Sequence, residues 1–229
     1  MKKIIMIAVA VLMATVSANA QFKKGTWSIQ PMVGNGMASV TNAGDLQIGA
    51  ASKLDSEATG ASLIGAEAEY QFADKFSAAA GLNYTSQGVG WEDFNNGSTK
   101  MKDMRLELGY IKIPLVANFY FAKGWAFKAG IQFGFMISSK LKFSTESQGM
   151  DILGQKMDVD ADFTVDFKDP FETFDFSIPF GVSYQFNFPI VIDARYQLGL
   201  TKLNKASASG INDNKNSVFM VTVGYKFKL

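Results

Sequence analysis

The chain has 229 residues, and it contains no cysteine and no histidine. Disulfides, thiol nucleophiles, Cys/His zinc sites and Ser-His-Asp triads are therefore excluded. Charge of a single sign is also missing: 22 basic residues stand against 21 acidic ones, a net of +1. Such balance gives no reason to expect nucleic acid as a partner. Beyond residue 20 no uncharged apolar run approaches the roughly 20 residues that a membrane-spanning helix needs. If the remaining chain enters a bilayer, it must enter as strands. What is plentiful is Phe, at 20 residues almost equal to Gly at 21, within a hydrophobic fraction of 48%. That mixture suits a β protein with much of its surface against an apolar medium.

The first twenty residues read as an address. Lys2 and Lys3 form a charged start, Ile4 to Val16 is apolar, and Ala18-Asn19-Ala20 is a small-x-small cleavage site. The run is too short to span a bilayer, and no Cys follows for lipid attachment. Residues 1–20 are thus expected to be a signal peptide and 21–229 a single barrel domain. Removing Lys2 and Lys3 leaves 20 basic against 21 acidic groups, a net of −1.

Past Gln21 the hydrophobic period is two. In Phe174 to Phe186, the residues Phe174, Phe176, Ile178, Phe180, Val182, Tyr184 and Phe186 share one face. Asp175, Ser177, Pro179, Gly181, Ser183 and Gln185 share the other. Twelve steps of ~3.3 Å, tilted by about 45°, climb roughly 28 Å, close to the apolar height of an outer-membrane barrel. An aromatic-x-Phe ending recurs at Tyr70-Gln71-Phe72, Phe119-Tyr120-Phe121, Tyr184-Gln185-Phe186 and Tyr225-Lys226-Phe227. The first three are followed by tight connections, at 73–75, 122–124 and 187–189. Long polar stretches separate the units: Thr41 to Ala58, Glu92 to Asp103, Ser144 to Met157 and Asn204 to Asn216. This arrangement predicts an all-β, eight-stranded antiparallel up-and-down transmembrane barrel. The expected strands are 26–38, 60–72, 76–91, 104–121, 125–143, 158–186, 190–203 and 217–228. Both ends of the barrel domain fall on the short-turn, periplasmic side. Trp27, Phe76, Trp125 and Phe188, beside the short turns, read as interface anchors. Pro114 and Pro179, each in Ile-Pro within a strand, imply a shared bulge.

The segments Tyr110 to Phe121 (YIKIPLVANFYF) and Asp193 to Leu200 (DARYQLGL), with Gly224-Tyr225-Lys226-Phe227, resemble the PorT-like outer-membrane β-barrel family of Bacteroidetes. The resemblance spans essentially all of 21–229. It implies outer-membrane residence and an association with protein secretion, and it carries no catalytic residue. Thr222, Gly224, Phe227 and Leu229 resemble the C-terminal signal read by the barrel-assembly machinery, with Leu where Phe is commonest.

Alternation also assigns the lumen. Glu67, Glu69 and Gln71 point inward, as do Asn83, Gln87, Lys112, Asn118, Lys128 and Gln132. Asp175, Asp193, Arg195, Gln197 and Lys226 complete the set. Four acids (Glu67, Glu69, Asp175, Asp193) meet four bases (Lys112, Lys128, Arg195, Lys226), and the sum is zero. Charges in a narrow barrel lose much of their water, and an unpaired one costs several kcal/mol. A neutral set fits a plugged lumen, whereas a selective channel usually displays imbalance. A lipocalin-like barrel, apolar inside, is rejected: the apolar face carries more aromatics than an eight-stranded interior holds.

Between Glu146 and Glu172 lie eight acids and two lysines, a net of −6. Within it Asp158 to Lys168 (DVDADFTVDFK) alternates without a slip, which predicts a strand rising above the membrane and paired with Ser139 to Thr145. Lys140 and Lys142 would offset some of the acids across the ladder. Asp158, Asp160 and Asp162 occupy positions one, three and five of an EF-hand-like calcium loop. Against calcium, Phe163 stands where that loop needs Gly, Asp169 where it uses Glu, and a strand spaces the carboxylates in a line. A solvated polar face is the default reading.

No cofactor motif is present, and no Ser sits in a nucleophile elbow. The sequence reads as a non-catalytic barrel with a filled lumen, in contact with outer-membrane lipids and acting through its loops or periplasmic rim on a protein partner. The alternative is a narrow channel for small solutes through the polar file of Glu67, Lys112, Asp193 and Arg195.

Overall fold

A strand whose two faces meet different media is the only element that a period of two can build. The computed structural model describes residues 23–41, 47–48, 52–53, 56–95, 99–152, 155–166, 171–203 and 214–229. Nine strands of ten or more residues carry the fold. They are β1 (Trp27–Val40), β2 (Ser56–Ala73), β3 (Phe76–Trp91), β4 (Thr99–Ala122), β5 (Trp125–Ile152), β6 (Gln155–Asp166), β7 (Phe174–Gln185), β8 (Ile190–Gly199) and β9 (Asn216–Tyr225). A two-residue piece, Phe227–Lys228, continues β9 against β1.

Each of β1 to β5 pairs antiparallel with the next, β5 pairs with β7, and β7, β8 and β9 follow in turn. β9 returns to β1, with Met32 opposite Gly224 and Val40 opposite Asn216. The result is a closed ring of eight antiparallel strands, as expected, and closure leaves the ring no edge. β6 stands outside the ring and pairs with the upper part of β5.

Several expected boundaries are corrected. β4 and β5 extend well past 104 and 143, so the polar stretch from Ser144 to Met157 is mostly a strand hairpin. Backbone pairing across it, not side-chain polarity, decides its form. The expected strand 158–186 is two strands, β6 and β7, with Phe171 to Thr173 outside either ladder. Residues 1–22, which include the expected signal peptide, and 204–213 of the last long stretch lie outside the described residues. No bulge occurs at either proline. Pro114 stays in register with Gln132, and Pro179 with Gln197. On the other side of each, the ladder lapses for two residues and resumes in the same register. Proline removes one donor, and the register places a glycine opposite each ring, Gly81 and Gly130. A Cβ on Gly81 would lie 2.7 Å from Glu67 Cγ and 3.1 Å from the Pro114 ring. The glycine admits the ring without shifting the strand.

Polarity of the two barrel faces changes once along the axis. On β4, Lys112 faces in while Ile113, Leu115, Phe119 and Phe121 face out. Higher up, Met104, Leu106 and Leu108 face in, while Arg105 and Glu107 face out. Ile111 to Phe121, ten steps of ~3.3 Å at the usual tilt, gives an apolar belt roughly 25 Å tall. On β5 the same inversion coincides with an extra residue, Ile137, between the Tyr110–Met136 and Gly109–Ser138 pairs. It turns Leu141 and Phe143 toward the core, and Lys140 lies exposed on the opposite face. At the short-turn end the belt closes in aromatic contacts, among them Trp27–Tyr70 at 4.8 Å, Phe76–Phe119 at 5.0 Å and Trp125–Tyr184 at 4.9 Å.

Candidate functional site

The inward positions of β2, β4, β5, β7, β8 and the Lys226 end of β9 bring all eight assigned charges into the lumen, each less than 7% exposed. Six of them form two ion-paired groups. In the first, Arg195 donates from Nη1 to Glu67 Oε1 at 2.7 Å and from Nη2 to Asp193 Oδ2 at 2.7 Å. Lys128 Nζ lies 2.5 Å from the same Asp193 oxygen and 3.8 Å from Glu67 Oε2. Two carboxylates and two cations thus form a closed neutral ring of contacts, with the guanidinium fork spanning both acids. The second group lies toward the short turns. Lys226 Nζ donates to Glu69 Oε2 at 2.8 Å, and Glu69 Oε1 accepts from Ser77 at 2.7 Å and Tyr120 at 2.6 Å.

Lys112 and Asp175 are not brought into direct contact. Lys112 donates to Gln87 Oε1 at 2.6 Å and Gln197 Oε1 at 2.7 Å. Gln132 donates to the same Gln197 oxygen and to Ser177. Asp175 Oδ1 accepts from Asn216 at 2.9 Å, while its Oδ2 has no hydrogen-bond partner among the described residues. Carboxamides solvate these two charges where counter-ions do not.

Sequence reasoning missed what lies above them. Val40, Val89, Trp91, Met104, Leu106, Leu108, Tyr110, Met136 and Leu203 form a buried apolar cluster, against which Leu141, Phe143 and Phe171 pack. This plug fills the barrel interior at the long-connection end. Its signal was the inverted alternation of Met104-Arg105-Leu106-Glu107-Leu108, apolar on the inward parity where Lys112 is polar. A second cluster, Met32, Ala38, Ala61, Leu63, Val218 and Met220, lines the wall made by β1, β2 and β9. Between it and the polar groups is a void of about 10 Å³, at the lower limit for one water. On the outer side, an open cleft of about 520 Å³ is lined by Glu57, Thr59, Trp91, Glu92, Asp103 and Arg105 among others.

The acidic hairpin is ordered as a ladder. β6 pairs with β5 from Lys140–Asp166 to Ser147–Val159 without a break in register. Lys142 reaches Glu107 at 2.7 Å, and Asp162 accepts from Ser144 at 2.7 Å. The backbone runs extended through 158, 160 and 162, so same-face residues are about 7 Å apart. The side chains of Asp158 and Asp160 lie outside the described residues. At the end of the chain, Thr222 is buried beside Met32, Gly224 pairs with both Met32 and Val191, and Phe227 pairs with Ile29. Leu229 N–H donates to Trp27 O at 2.9 Å, with its side chain exposed.

A closed eight-stranded ring, an apolar belt with aromatic ends and a neutral buried lumen define a small outer-membrane β-barrel. The family described as outer membrane protein beta-barrel domain matches residues 18–205, and the chain belongs to that family. It is an outer-membrane protein, with its belt against lipid. No curated protein matches the sequence. Among solved structures it is similar to OprG of Pseudomonas aeruginosa, at 13% identity and a TM-score of 0.46, covering 92% of this chain and 99% of that one. It is also similar to Ail, the attachment invasion locus protein of Yersinia pestis, in complex with the heparin analogue sucrose octasulfate. There the identity is 17% and the TM-score 0.43, covering 90% of this chain and 100% of that one. Neisserial surface protein A follows at 14% and 0.43, covering 88% of this chain and 97% of that one.

Proposed function

We propose that this chain is a non-catalytic barrel with a sealed lumen that acts on a protein partner through its extracellular rim, the hairpin included, and not through the periplasmic rim. One observation carries the reading: the lumen is closed twice, by the Glu67–Lys128–Asp193–Arg195 ring and by the apolar plug above it. A solute following the polar file would have to part Leu106, Leu108 and Tyr110, which are almost wholly buried. The plug therefore speaks against the channel alternative. Absence of His removes the commonest general base from any catalytic scheme.

In this reading residues 1–20 are a signal peptide, and Thr222, Gly224, Phe227 and Leu229 are read by the barrel-assembly machinery. The strand motifs at 110–121 and 193–200 support membership of the PorT-like branch of Bacteroidetes, and with it a secretion-associated role. The test is single-channel recording from purified protein whose folding is verified by its unboiled gel shift. Silence is expected. Discrete steps altered by Arg195→Ala or Glu67→Ala would overturn the sealed lumen. For the rim, a photo-crosslinker placed at Thr164 in cells should capture a partner, and the Asp162→Lys/Asp166→Lys pair should abolish that capture.

A further inference from the structure

The ring has no edge, but β6 has one. Among the described residues its twelve residues pair with β5 alone, over a length of roughly 40 Å. In an antiparallel ladder about half of the N–H and C=O groups of such a strand point away from its partner. Edge strands are normally blunted by charged side chains, lysine above all, by proline or by bulges. From Val159 to Asp166 β6 has no proline, lysine or bulge, and its one protecting device is the aspartate row, which repels acidic and like strands but not a basic one. Its one lysine, Lys156, and its one register shift lie near the hairpin tip.

The two faces of this edge differ. Phe163 and Val165 are 44% and 45% exposed, and Phe163 stacks on Phe143 with centroids 5.1 Å apart. Asp162, Thr164 and Asp166 lie exposed on the opposite face, where the sequence continues with Asp160 and Asp158. A second copy of the chain laid along this edge would set aspartate beside aspartate, which destabilises the pairing. A strand with basic residues at alternate positions meets the opposite condition at four of the five positions of that face, Thr164 being the uncharged one. Apolar residues between them would cover Phe163 and Val165.

We propose that the free edge of β6 binds an extended, basic, alternating segment of a partner protein as an added β-strand, by backbone hydrogen bonds and charge pairing with the aspartate row. The proposal rests on the reading of the rim as the functional surface, and it names the partner's chemistry.

The test uses the full chain in lipid nanodiscs and a synthetic ten-residue probe of alternating lysine and valine. The expected result is binding by fluorescence anisotropy, together with slowed amide exchange in 158–166. The same peptide methylated on every backbone nitrogen keeps its charge but has no N–H to donate from either edge, and it should bind about ten-fold or more weakly. Asp162→Lys/Asp166→Lys, verified as folded by gel shift, should lose the lysine probe and gain one of alternating glutamate and valine. Equal binding of the methylated peptide would reduce the contact to plain electrostatics and overturn the proposal; so would no binding at low ionic strength. The methylated-peptide arm needs no variant, so a misfolded mutant does not leave the question open. If crosslinking in cells is charge-dependent while both probes fail, the rim reading stands and strand addition falls. If the probe binds but no partner is captured in cells, the rim reading fails and the edge chemistry stands.

Discussion

Arg195 lies between Glu67 and Asp193 with hydrogen bonds to both, and Lys128 completes a four-charge ring inside the barrel. Arg195→Met leaves two buried carboxylates against one cation, and uncompensated buried charge typically costs about 3–5 kcal/mol. The double variant Glu67→Gln/Arg195→Met leaves Asp193 and Lys128 as a neutral pair. It is therefore expected to be more stable than Arg195→Met alone, a reversal measurable as the urea midpoint of the gel-shifted form in lipid vesicles. Gly81→Val tests the space beneath Pro114. Its Cβ would lie 2.7 Å from Glu67 Cγ and 3.0 Å from the Ala66 carbonyl oxygen. Overpacking of this kind costs about 1–3 kcal/mol, and the midpoint should fall accordingly. The eight lumen charges were legible from parity alone, because strand side chains alternate without exception between register shifts. Their pairing was not: Lys112 ends among carboxamides instead of beside an acid, which depends on tilt and stagger around the ring.

At the scale of elements, β5 shows how one residue sets two faces. Ile137 is the extra residue that turns Leu141 and Phe143 inward above the belt. Deleting Ile137 would exchange those faces, sending Lys140 and Lys142 toward the plug. The expected outcome is a barrel with an intact short-turn end and a loosened plug, read as faster protease cleavage between 140 and 166. Restoring any single apolar residue at that place should reverse it. The hairpin was legible as an alternating strand at Asp158 to Lys168 and as a pairing with Ser139 to Thr145. Its full length was hidden because Ser144 to Ile152 has no apolar alternation and is a strand because β6, and up to Ser147 also β4, lie beside it. Conversely, the expected strand 158–186 joined two segments whose apolar residues have opposite parity, odd from Val159 to Phe167 and even from Phe174 to Phe186, and β6 and β7 are separate strands.

For the whole molecule, ring closure and the hairpin are separable. The ring strands close on one another without β6, and replacing Ser144 to Asp162 by a two-residue Asn-Gly turn costs β5 only its four uppermost pairs with β4, Lys102–Ser144 to Thr99–Ser147, so the barrel should stay folded. Its unfolding free energy should fall by no more than about 1 kcal/mol, the size of a typical single substitution, because the deleted residues include none of the plug. The shortened protein should also remain silent in a planar bilayer, because the plug is built mainly from ring strands and not from the hairpin. Conductance appearing only in the shortened form would identify the hairpin as the seal.

The sequence by itself determined the class of fold, the outer-membrane setting, the number of ring strands and which charges face inward. Each follows from a local period of two read against a known thickness of hydrocarbon, and a period survives in one dimension. Tertiary structure decided the plug, the partners of Lys112 and Asp175, the in-register prolines and the free edge of β6. These depend on which strand lies beside which and at what stagger, and such neighbours are set by closure of the ring, far apart along the chain.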